Sequence, residues 1–182
     1  ALPILSDICR KHKRILFNGD NYTAEWRKEA ARRGLPNIRS TPEALKALVK
    51  KDSVAMFERY KVFTAREIES RYDVYLHEYL KTVQIEAQCA LEIARTMIIP
   101  AALDYQSRLG ATLAALKSGG IKSTQGTRGL MAQVADLTEE ALVAAGALEK
   151  AVAAESPDKM LAGMQTLRAA ADELEGVVPH DL

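Results

Sequence analysis

Phe17-Asn18-Gly19-Asp20-Asn21-Tyr22 is a glycine-centred turn that follows Lys11, Lys13 and Arg14, a combination able to contact an anion. A nucleotide phosphate loop, however, carries GxGxxG, or GxxxxGK followed by Ser or Thr, behind a strand, and one glycine meets neither pattern. Asn, Gly and Asp build a turn without any ligand, so the structural reading is favoured. Lys11, Lys13, Arg14, Arg27, Lys28, Arg32 and Arg33 also form a basic cluster. Within it Lys13, Arg14, Arg27, Arg32 and Arg33, with Asn18 and Asp20, are the candidates for a docking or anion contact. A nucleic-acid partner would use such cations to neutralise phosphates. No recognition motif accompanies them and Glu25 and Glu29 interrupt the run, so docking onto an acidic neighbour fits equally well.

Other groupings lead back to structure. His77-Glu78 begins like HExxH, but position 81 is Lys, which leaves no second imidazole one turn on. Glu69, Glu78, Glu86 and Glu92 lack the Glu-x-x-His pairs of a di-metal bundle. Tyr72, Tyr75 and Tyr79, with Tyr60 and Tyr105, are placed by their spacing on a buried helix face; packing is the default and a ligand pocket the lesser alternative. Cys9 and Cys89 stand apart without a CxxC pattern, which suits two structural thiols in a reduced, cytoplasmic setting. His12 and His180 stand alone. No Ser/His/Asp grouping, Cys/His pair or acid/base dyad emerges. No catalytic, cofactor-binding or metal-ligating residue is assigned, and the chain reads as no enzyme by itself.

The elements that must position these residues are helices. Ile15-Leu16-Phe17 is the one short piece with an extended pattern. Residues 23–33 predict a helix stopped by Gly34 with Pro36 beyond it. Thr41 is the expected cap of a second helix with Pro42 at its first position. Asp52 or Ser53 is the expected cap of a third, ending near Tyr60. Thr64-Ala65-Arg66-Glu67 is a capping box. Behind it apolar residues at 68, 72, 75, 76, 79, 80, 83, 87, 90, 91, 94, 97 and 98 keep one helical face. At ~1.5 Å per residue, 65–98 would span about 50 Å. Pro100 predicts a kink or break near 98–100, after which Ala102, Tyr105, Leu109, Leu113 and Leu116 resume the spacing up to Gly119-Gly120. Two further stripes, Leu130 to Val152 and Met160 to Leu174, flank a Ser156-Pro157 turn and predict a helical hairpin. The expected fold is all-α: short helices over 1–63, then an elongated antiparallel helical bundle over 64–182 with one long kinked helix.

Bulk properties agree with that division. The chain has 182 residues, 48% hydrophobic and 27% charged, an ordinary globular composition. No apolar run approaches the roughly 20 residues that cross a bilayer, so no membrane partner is expected. The formal net charge of +1 hides a basic first third, since residues 1–63 hold 14 Lys+Arg against 7 Asp+Glu.

The stretches HKRILFNGDNYTAEW, AARRGLPNIRSTPEAL, FERYKVFTAREIESRYDVYLHEYLKTVQIEAQCALEIARTMIIPA and LRAAADELEGVVP occur in an order that resembles the C-terminal region of type III glutamine synthetases, the large bacterial glutamate–ammonia ligases. The third stretch is the most specific, and residues 121–160 are the least diagnostic. The resemblance implies a parent enzyme that joins ammonia to glutamate with ATP and Mg or Mn through γ-glutamyl phosphate, and that assembles as a homo-oligomer. It implies that the metal, ATP and transition-state residues lie upstream, so no cofactor is expected in this chain. The expected partners are then the catalytic domain of the same polypeptide and other subunits, with no nucleic acid. It implies, too, that both ends are cut and that FNGDNY is the junction turn where the chain leaves the catalytic domain. The alternative is a free-standing helical interaction module binding an acidic protein or nucleic acid through residues 10–33.

Overall fold

The computed structural model describes residues 2–179. The chain is 78% helical, and the described residues hold no strand. Its contacts fall into two units, residues 1–76 and 77–182, which meet within one long helix. The division read from the sequence, between residues 63 and 64, lies just before that helix, whereas the contacts divide within it at 76 and 77.

In the first unit, α1 (Leu2–Lys11) buries none of its side chains. The expected extended piece at Ile15–Phe17 is instead a 3₁₀ turn over Lys13–Ile15, with extended angles at Leu16. No strand among the described residues takes its backbone groups, and they close locally: Ile15 N–H donates to His12 O and Leu16 N–H to Lys13 O. Helix α2 (Ala24–Arg32) starts at Thr23, whose Oγ1 accepts from Trp26 N–H. It ends as expected, with Gly34 at φ 65° and Leu35 N–H reaching back to Ala30 O. Helix α3 (Thr41–Leu45) is capped by Ser40, one residue ahead of the expected Thr41, because Ser40 is the last residue with extended angles. The cap of α4 (Lys51–Arg59) is Lys50, not Asp52 or Ser53. Ser53 instead donates its hydroxyl to Ala47 O at 2.7 Å, tying α4 to the turn before it.

The capping box forms as read. Glu67 Oε2 accepts from Thr64 N–H at 2.8 Å, and Thr64 Oγ1 accepts from Glu67 N–H at 3.3 Å. Glu58 adds a bond from Ala65 N–H at 3.1 Å. Phe57 meets Phe63 with ring centroids 5.7 Å apart, and the Arg71 guanidinium lies 4.3 Å from the Phe63 ring centre. Ile68, in the first turn of the long helix, is 1% exposed.

The long helix is α5 (Ala65–Ile93), a π turn (Ala94–Ile98) and α6 (Ile99–Ser118), continuous over 54 residues. Pro100 therefore neither breaks nor ends it. The π turn absorbs the misfit: Ile99 N–H donates five residues back to Ala94 O, widening the backbone just before the proline ring. The second unit builds its core on this region. Val83, Ala87 and Leu91 of α5 cluster with Ala141, Leu148 and Ala151 of α7 (Gln125–Ala153) and with Met160, Leu167 and Leu174 of α8 (Pro157–Glu175). The expected stripes of the hairpin are thus its buried faces, and α7 begins earlier than its apolar stripe suggested. Small side chains let α7 and α8 approach closely. A Cβ added to Gly163 would lie 3.0 Å from Leu148 Cδ1 and 3.4 Å from Leu148 Cα. A polar bridge in this unit runs from Gln106 Nε2 to Thr138 Oγ1 at 2.8 Å, the Thr138 hydroxyl donating in turn to Val134 O.

Two substitutions test this packing by urea unfolding. Gly163→Val should cost about 1–3 kcal/mol, because the extra methyls meet the Leu148 backbone. Glu155, which follows α7 with φ 48°, occupies a conformation costly for a side-chain-bearing residue, so Glu155→Gly should raise stability by roughly 0.5–1 kcal/mol.

Candidate functional site

All seven candidate residues fall in the first unit. Asp20 is engaged in the turn itself: its Oδ1 accepts from Tyr22 N–H at 2.9 Å, and its carbonyl accepts from Thr23 Oγ1 at 2.8 Å. The need for glycine at position 19 has a steric cause, since a Cβ there would lie 2.7 Å from the Phe17 ring. Phe17 folds back over the turn to meet Trp26 of α2, with ring centroids 4.8 Å apart. The FNGDNY turn is thus an aromatic-pinned entry to α2.

The basic cluster divides into structural and outward-facing cations. Arg33 Nη1 donates to Leu16 O at 2.6 Å and to Arg14 O at 3.1 Å, clamping the 3₁₀ turn against α2. Its Nε reaches Glu29 Oε1 at 2.6 Å, while Arg32 pairs with both oxygens of the same carboxylate. Held first by Arg32 and then by Arg33, the Glu29 carboxyl drops from 4.5 to about 2. Glu29, read from the sequence as an interruption of the cluster, is the residue that organises it. Lys13, Arg14, Asn18, Arg32 and Arg33 line one open depression of about 520 Å³. Arg27 and Asp20 do not line it. Lys13, Arg14 and Arg27 make no ion pair among the described residues.

The remaining candidates lie elsewhere. Tyr72, Tyr79 and Tyr105 are half-buried, but Tyr75 and Tyr60 are exposed, contrary to the expected buried face. Tyr72 and Tyr79, seven residues apart, share a helix face, whereas Tyr75 is turned about 60° from Tyr72. Tyr75 lines a shallow depression with Arg66, Ser70 and Arg71. His12, His77, Glu69, Glu78, Glu86 and Glu92 are exposed, and no three His, Cys, Asp or Glu side chains converge among the described residues. Cys9 and Cys89 are free and exposed, not structural thiols of a core. His180 lies outside the described residues. Sequence reasoning missed the apolar face of α1, where Leu2, Leu5 and Ile8 are exposed at 82%, 56% and 49%. Their three-residue spacing carried the signal.

The Glu29 clamp makes a pH prediction. A depressed carboxyl stabilises the folded form above its ordinary value of 4.5 and loses that contribution as pH falls toward 2. Trp26 fluorescence should therefore change between about pH 4.5 and 2, as its Phe17 contact loosens. Glu29→Gln should show the loosened signal already at neutral pH and should flatten this transition.

Comparison with known proteins follows the same residues. A family model described as the glutamine synthetase C-terminal domain matches residues 2–117. A glutamine synthetase of Butyrivibrio fibrisolvens is 35% identical over 192 aligned positions, covering 97% of this chain and 27% of its own length. The type-3 glutamine synthetase of Dictyostelium discoideum is 32% identical over 60% of the chain and 15% of its own length. A glutamine synthetase of Bacteroides fragilis (strain YCH46) is 41% identical over 57% of the chain and 14% of its own length. The chain spans about a quarter or less of these relatives. These matches fit the C-terminal region of a type III glutamine synthetase, and the chain belongs to the glutamine synthetase C-terminal domain family.

Proposed function

We propose that this chain is the docking and assembly part of a larger glutamate–ammonia ligase and supplies none of that enzyme's catalytic groups. The parent reaction joins ammonia to glutamate at the expense of ATP. In it the γ-carboxylate would first take the terminal phosphoryl group, and ammonia would then displace phosphate from the acyl phosphate. ATP and the divalent ions that screen its charge belong, on this reading, to the upstream part of the polypeptide.

The observation that carries the proposal is α1. Leu2, Ile4, Leu5 and Ile8 are all exposed, and no residue of this helix is buried. Fully covering a leucine or isoleucine side chain is worth about 1.5–3 kcal/mol, so such a face favours a partner. The relatives extend over more than three times the matched length, which supports the catalytic part of the same polypeptide as the occupant. Lys13 and Arg14, which follow α1 in the chain, and Arg27 of α2 are exposed and would steer the unit toward an acidic surface. The free-standing module reading is weakened by Glu29, which engages two of the cations that a nucleic acid would need.

The isolated chain should make no glutamine from glutamate, ammonia and ATP; turnover by it would refute the assignment of roles. In the parent enzyme, Leu5→Asp combined with Ile8→Asp should lower glutamine formation by at least about tenfold, given the area lost from the interface. Size-exclusion light scattering should show a smaller assembly. Normal assembly and activity in that variant would remove α1 as the docking element.

A further inference from the structure

We draw no further inference here: the strongest candidate, the apolar groove of the second unit between the π turn and α8, lined by Ile93, Ile98, Met164 and Leu167, carries none, because its Arg168 and Asp172 already pair with each other and nothing in the structure shows what covers it.

Discussion

A missing hydrogen on the nitrogen of Pro100 governs the second unit. An ordinary helix cannot pass a proline without losing a bond and meeting a steric conflict. Here the preceding five residues widen into a π turn, and the helix continues. Both helices of the hairpin pack against this turn. Ala94 within it is 2% exposed, and Ile99 just after it is 5% exposed. The distortion is therefore sealed inside the core. Arg95, on its outer side, closes a two-pronged ion pair to Glu149 of α7 at 2.7 Å, which fixes orientation more than it adds stability.

Alanine makes this packing possible. Ala141, Ala144, Ala145 and Ala151 turn one side of α7 into a seam without bulk, and Gly163 continues it on α8. The stability of such a core rests on many close contacts between backbones, each weak, more than on a few large side chains. The first unit is built oppositely. Its buried residues are few, and it relies on aromatic pairs, a guanidinium clamp and reciprocal caps.

Much of this was legible from spacing alone. The capping box at Thr64 and Glu67, the Gly34 stop, the heptad-like stripe from Met160 to Leu174 and the disturbance near Pro100 each rest on local chemistry that a few residues specify. What escaped the sequence depended on distant partners or on choices among near-equals. Ser40 and Thr41 are both competent caps, and only the path of the chain decides between them. Ser53 is a good cap residue that found a better acceptor in Ala47 O. Lys61 and Glu155 take left-handed angles without the glycine or asparagine that would announce them. In the candidate site, the cations were visible but their division was not, because one carboxylate, Glu29, settles which arginines turn inward.

The two cysteines place one exposed thiol on each unit, Cys9 on α1 and Cys89 on α5. Neither side chain contributes to a core, so both accept maleimide chemistry at little structural cost. The chain thus carries two natural attachment sites for a donor dye and an acceptor dye, with no cysteine to add or remove. Any rearrangement of one unit against the other would register as a change in transfer efficiency in a single doubly labelled molecule.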